Sequence, residues 1–194
     1  MSGLSRSRIF FHICCAPDAT VTIERLNPDY NVTGFFYNPN IHPGEEYKYR
    51  LKEMSWLARR LGIPLIEGEY ERSYWFSLIE GLEEEPEGGK RCEVCIRMRL
   101  EKTAALARKE GFPIFGTALT VSPHKNAPLI NRIGLELANR YGLTFLEADF
   151  KKGDGFKRSV ELSMAYGLYR QKYCGCIYSL DRHGGRFLHD YDSV

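Results

Sequence analysis

The chain reads as an α/β protein, a mostly parallel sheet with helices on both faces, and three observations carry that reading. Short runs rich in aromatic and β-branched residues recur along it, apolar residues between them fall at helical spacing, and glycines stand where the helical patterns stop. The strand candidates are RIFFHIC (8–14), NVTGFFYN (31–38), IPLIEGEY (63–70), FPIFGTAL (112–119) and LTFLEADF (143–150). Between them Tyr47, Leu51, Met54, Ala58 and Leu61 repeat at helical intervals, as do Ile96, Leu100, Ala104 and Ala107, and then Ile130, Ile133, Leu137 and Tyr141. Gly62, Gly111 and Gly142 follow these patterns, where a left-handed terminating residue is expected. A last helix is predicted over 160–173, so that a C-terminal helical segment carries the final cysteines in YCGCIYS. Acidic LEEEPEGGKR (82–91), broken by Pro86, Gly88 and Gly89, predicts an exposed loop.

At 194 residues with 43% hydrophobic and 27% charged, the chain suffices for one core, so 1–194 is read as a single domain. Twenty-seven Lys and Arg against 25 Asp and Glu leave a net charge of +2, which does not mark a strongly basic nucleic-acid binder. The charge is locally concentrated instead. Lys90, Arg91, Arg97 and Arg99 surround one cysteine pair, and Lys151, Lys152, Lys157, Arg158, Arg170 and Lys172 lead up to another. Such groups form either a solvated helix face or a phosphate-contacting surface. The apolar run IFFHICCA is short, broken by His12, and reads as a buried strand; no stretch is long enough to cross a membrane. A cytoplasmic protein with reduced thiols is expected.

In open parallel sheets ligands bind beyond the carboxyl ends of the strands. Three such ends carry unusual residues and should converge: Cys14, Cys15 and Asp18 after the first strand, YNPNIHP after the second, and TALTVSPHKN after the fourth. All six cysteines fall in close pairs, Cys14 with Cys15, Cys92 with Cys95, and Cys174 with Cys176. A C-x-x-C at a helix start brings two thiolates to one metal or to neighbouring irons of one cluster, where backbone N–H groups favour negative charge. Three readings compete: inert core thiols, a structural zinc that leaves two cysteines unused, and an iron–sulfur cluster with a further metal position that uses the whole set. Asp18 either caps the following helix or adds a hard oxygen ligand to a soft site.

Together HICCAPD, GFFYNPNIHPGEEY, KRCEVCIRMRL, TALTVSPHKN and GLYRQKYCGCIYS, in this order and from about residue 9 to residue 179, closely resemble the epoxyqueuosine reductase QueH family. The resemblance implies a cobalamin-independent oxidoreductase that converts epoxyqueuosine to queuosine in the anticodon loop of tRNA. It also implies a [4Fe–4S] cluster and a Rossmann-like sheet of the adenine-nucleotide hydrolase and PP-loop kind. One departure stands out: many family members read C-C-A-P-C where this chain has Asp18, so either the position is no essential ligand or a carboxylate replaces a thiolate.

Deoxygenating an epoxide takes two electrons and two protons, and a single cluster passes one electron at a time. Six thiolates plus Asp18 also exceed the four ligands of one cluster. On this reading Cys92, Cys95 and at least one of Cys174 and Cys176 hold the cluster, while Cys14 or Cys15 with Asp18 holds an adjacent mononuclear iron. Asn38 and Asn40 are assigned to substrate positioning, with His42 or Tyr37 as proton donor. Ser122, His124, Lys125 and Asn126 at a helix start suit the phosphates of an anticodon loop, and at least one of Arg97 and Arg99 should face the site. His12, Trp56 and Trp75 are read as core, and Tyr173 and Tyr178 as candidates for stacking on a base. The electron donor is unidentified. The rivals are an ATP-dependent PP-loop tRNA-modifying enzyme, for which CCAPDAT lacks a glycine-rich phosphate loop, and a zinc-stabilised RNA-binding module.

Overall fold

The computed structural model describes residues 6 to 182, and the remainder of the expected single domain, 1–5 and 183–194, lies outside the described residues. Five strands alternate with helices: β1 Ser7–His12, α1 Ala16–Leu26, β2 Tyr30–Phe36, α2 Gly44–Leu61, β3 Leu65–Glu67, α3 Arg72–Leu78, α4 Lys90–Lys109, β4 Ile114–Thr117, α5 Ala127–Tyr141, β5 Thr144–Phe145, α6 Gly155–Ala165 and α7 Ile177–Arg182. The strands form one all-parallel sheet in the order β3-β2-β1-β4-β5. The chain therefore builds outward from β1 in one direction and then restarts on its other side at β4. That reversal opens a crevice beside the end of β1.

Side-chain alternation along β1 divides the core. Ile9, Phe11 and Ile13 pack with α1 and α2 residues such as Ile23, Met54 and Leu57, while Phe10 packs on the opposite face with Leu100, Ala104, Ile133 and Leu137 of α4 and α5. Each predicted helical pattern has its apolar stripe buried, and Gly62, Gly111 and Gly142 have φ of 68°, 69° and 64° at or just past the helix ends.

The edge strands are shorter than the sequence predicts, because β3 and β5 each pair on one side only and the flanking residues leave the sheet. The predicted helix 160–173 starts earlier and ends at Ala165, with Gly167 in the left-handed region at φ 64°. The final cysteines accordingly lie in an irregular connection between α6 and α7, not on a helix. Trp56, expected in the core, is 41% exposed, whereas Trp75 is fully buried. Arg91 corrects the picture of the 82–91 segment as simply solvated. Its buried guanidinium gathers the carbonyls of Leu82, Glu83 and Glu85 at 3.0, 2.7 and 2.6 Å.

Candidate metal centre

The carboxyl ends of β1, β2 and β4 open into one cavity of about 520 Å³, and Cys14, Asp18, Cys92, Cys95, Cys174 and Cys176 all line it. Cys15 lies directly behind Cys14, and all six cysteines are free thiols. Residues drawn from three distant parts of the chain thus meet at the crevice that the strand order creates.

Cys14 and Cys15 occupy the turn from β1 into α1. Cys15 has extended backbone at the helix N-cap, and its thiol is not used to cap the helix. Asp18 is inside the first turn, so it does not serve as the N-cap. Its Oδ2 lies 3.7 Å from Cys14 Sγ, which lies 3.9 Å from Cys15 Sγ, and the three donor atoms fall within 4.8 Å of one another. Burial holds the Asp18 carboxyl above the usual carboxylate range against the pull of the Arg170 guanidinium. Contact with the Cys14 sulfur, then burial, holds the Cys15 thiol well above its ordinary value. Two sulfurs and one oxygen crowded this closely repel when ionised and are relieved by a cation, and the mixed donor set suits a borderline metal such as iron.

Cys92 and Cys95 stand one turn apart at the start of α4, with the Gly88 N–H donating to Cys92 Sγ at 3.2 Å. Cys95 is pushed up by burial, with Arg99 opposing and Cys174 reinforcing the shift. Opposite them, Gly175 at φ 99° turns the backbone so that Cys174 and Cys176 both reach the cavity. The Cys176 sulfur holds Cys174 well below the ordinary thiol range against its burial, aided by the Lys125 ammonium. The buried guanidinium of Arg99, the half-buried ammonium of Lys125 and the buried Trp75 indole beside Cys95 line the same cavity. Positive charge and an indole N–H near the sulfurs of four thiols fit an anionic iron–sulfur cluster.

The other predicted residues divide. Asn40, Arg99, Ser122, His124, Lys125 and Tyr173 line the cavity. Tyr37 does not: its hydroxyl donates to Glu71 at 2.7 Å, behind the site, and burial raises its pKa further, which argues against a proton donor. Asn38 is buried and donates to the Ile13 carbonyl at 2.9 Å, tying the β2 loop to the end of β1. His42 sits behind Asn40 with Nδ1 2.9 Å from the Asn40 carbonyl, an arrangement that needs the proton on Nδ1. Burial lowers its pKa, which favours the neutral imidazole that braces Asn40. Arg97 points away and pairs with Glu136 at 2.7 Å, leaving Arg99 as the member of that pair that faces the site. Asn126 caps α5 by accepting from the Leu129 N–H at 3.0 Å. His12 is a satisfied core histidine, between Thr117 Oγ1 at 3.0 Å and the Tyr37 carbonyl at 3.2 Å, with its pKa lowered to about 3 by burial. Tyr178 lies outside the cavity lining, 4.7 Å from the Arg91 guanidinium, and the Tyr173 hydroxyl is committed to the His42 carbonyl.

Arg50 and Gln171 also line the cavity and escaped the sequence reading, while Arg170, read only as part of a charge run, joins them. The signal for Arg50 was present. Glu46 and Arg50 precede Met54 at intervals of four on the buried stripe of α2, where charge is out of place unless paired.

A family model described as epoxyqueuosine reductase QueH matches residues 9–182. A protein of Streptococcus pyogenes serotype M1 named epoxyqueuosine reductase QueH is 43% identical over 185 residues, covering 92% of this chain and 72% of that protein. Its namesake from Thermotoga maritima is 41% identical over 175 residues, covering 89% and 90%. Among solved structures, the U34-tRNA thiolase NcsA from Methanococcus maripaludis, with its [4Fe–4S] cluster, superposes with a TM-score of 0.58 at 12% identity over 91% of this chain and 62% of that one. A predicted subunit of a tRNA methyltransferase from Methanocaldococcus jannaschii gives 0.55 at 16% identity over 81% and 74%. At such identities the two structures are alike in fold. In this chain Cys14, Cys15 and Pro17 form the turn from β1 into α1. No helix among the described residues is long and apolar enough to cross a membrane.

Proposed function

The chain belongs to the epoxyqueuosine reductase QueH family and is an oxidoreductase, and from this premise we propose that its cysteine-lined cavity reduces epoxyqueuosine to queuosine in the anticodon loop of tRNA. The observation that carries the reading is the meeting of five cysteines and Asp18 around one cavity beside the end of β1. In the reaction both C–O bonds of the epoxide break and the C=C bond forms; two electrons and two protons enter, and the oxygen leaves as water. The cysteines and Asp18 divide between two metal sites. A [4Fe–4S] cluster on Cys92, Cys95 and at least one of Cys174 and Cys176, with an adjacent iron on Cys14 or Cys15 and Asp18, would supply single electrons and a Lewis-acidic centre.

The protein's own groups do the rest. Arg99 and Lys125 bring fixed positive charge to the wall, which favours negative charge developing on the departing oxygen. Lys125, with Glu87 3.9 Å away, stays an ammonium and offers its N–H groups as hydrogen-bond donors there. The amide oxygens of Asn40 and Gln171 are buried and have no hydrogen-bond partner, so they suit hydroxyl donors on the substrate ring. Exposed His124 and Lys172 at the mouth suit the phosphates of the anticodon loop. The electrons come from an external one-electron carrier, and a tRNA substrate makes the cytoplasm the working compartment.

The test is nucleoside mass analysis of epoxyqueuosine-containing tRNA incubated with anaerobically reconstituted, chemically reduced protein. Loss of one oxygen atom without added ATP is expected, and unchanged nucleoside overturns the proposal. Metal analysis separates its parts: a fully active protein with only four irons per chain removes the adjacent iron, and a colourless protein holding one zinc removes the cluster.

A further inference from the structure

The stretch that carries Cys174 and Cys176 has neither helix nor strand, so its path must be set from outside. The contacts that do so converge on α2 and the loop before it. Arg50 Nη2 donates to the Tyr173 carbonyl at 3.2 Å and Nη1 to the Cys174 carbonyl at 3.4 Å, while the guanidinium lies 5.2 Å from the centre of the Tyr173 ring. The Tyr173 hydroxyl donates to the His42 carbonyl, and the His42 N–H donates to the Gly175 carbonyl at 2.7 Å. Arg50 is 2% exposed, and its Nε is braced by Glu46 Oε1 at 2.7 Å.

A charge this deeply buried is costly, and the rest of the stripe, Met54, Leu57 and Ala58, shows that α2 packs with apolar residues. The guanidinium is distinguished by its planar fork, which reaches the carboxylate with one edge and two successive carbonyls with the other; an ammonium has no such geometry. Its place beside Gly175 is tight as well, since a Cβ there would lie 2.8 Å from Ile41 Cγ1 and 3.2 Å from Arg50 Nη1.

We propose that Arg50, oriented by Glu46, is a positioning residue that seats Cys174 and Cys176 as metal ligands. The inference rests on the reading of these thiols as cluster ligands. R50K retains a positive charge opposite Glu46 but cannot keep both carbonyl contacts. Anaerobically reconstituted wild type and R50K are compared by iron and sulfide content, by the rate at which iron passes to a chelator, and by the electron paramagnetic resonance spectrum of the reduced protein. With native near-ultraviolet circular dichroism, R50K should release iron about 10- to 100-fold faster, the range that loss of an outer-shell partner costs, and show an altered spectrum. A wild-type release rate and spectrum overturn the proposal.

If R50K does not fold, E46Q/R50M, which leaves no unpaired buried charge, is measured in the same way with the same two outcomes. Failure of that variant to fold would assign the pair to the fold itself and also overturn the proposal. Wild-type protein that binds no iron overturns the cluster reading, whereas wild type and variant equal in cluster retention overturn only this inference.

Discussion

Cys92 and Cys95 stand on one turn of a 20-residue helix, whereas Cys174 and Cys176 stand on a stretch with no regular structure. The first pair is held by its own backbone hydrogen bonds and by the core contacts of Cys95, Ile96 and Leu100 further along α4. The second is held by groups more than a hundred residues away in sequence, through Arg50 and the His42 backbone. Both pairs reach the same cavity, yet local chemistry builds one and the tertiary fold builds the other. The contrast predicts that perturbing the core under α4 lowers stability while leaving the cysteine geometry intact, and that perturbing the clamp disturbs the cysteine geometry at a smaller cost in stability.

The largest effect is expected from Cys95→Ser, which removes a proposed ligand and should lower turnover by at least about 100-fold, the upper end of what even outer-shell partners cost. Retained iron and turnover in this variant would break the comparison at its root. Leu100→Ala, at a fully buried position, should lower the free energy of unfolding by about 2–5 kcal/mol in denaturant titrations. Iron per folded chain should stay at the wild-type value, and its loss would mean that the two cysteine pairs are not held separately.

Gly175→Ala sharpens the other side. Its positive φ and the close approach of Ile41 and Arg50 predict a cost of about 1–3 kcal/mol, accompanied by faster iron release. An unchanged release rate would show that the clamp tolerates displacement. Tyr173→Phe removes only the hydroxyl that donates to the His42 carbonyl, and should cost about 0.5–1.5 kcal/mol in the same titration. Arg97→Ala is the smallest: breaking an exposed pair with Glu136 should shift stability by less than about 1 kcal/mol, with turnover unaltered, while Arg99→Ala slows it.

The α/β class, the helical stripes and the convergence of three strand ends were legible in the sequence, because side-chain period and glycine placement are local properties. C-x-x-C at a helix start was legible for the same reason. Period could not reveal how far the edge strands run, since that depends on which neighbour they pair with. Nor could it decide between Arg97 and Arg99, two residues apart on one helix, until α4 had docked and turned one inward and the other toward Glu136. Tyr37 shows the same limit: its place after β2 was right, but Glu71 drew its hydroxyl away from the cavity.

The sequence by itself determined which thiols come in pairs and which strand ends bear them. The tertiary structure alone decided that Arg50 would brace Cys174 and that the Tyr173 hydroxyl would meet the His42 carbonyl. The physical reason is range: spacing along a chain encodes what lies within one turn or one strand, while partners a hundred residues apart are chosen only when the sheet orders its strands and brings their ends together.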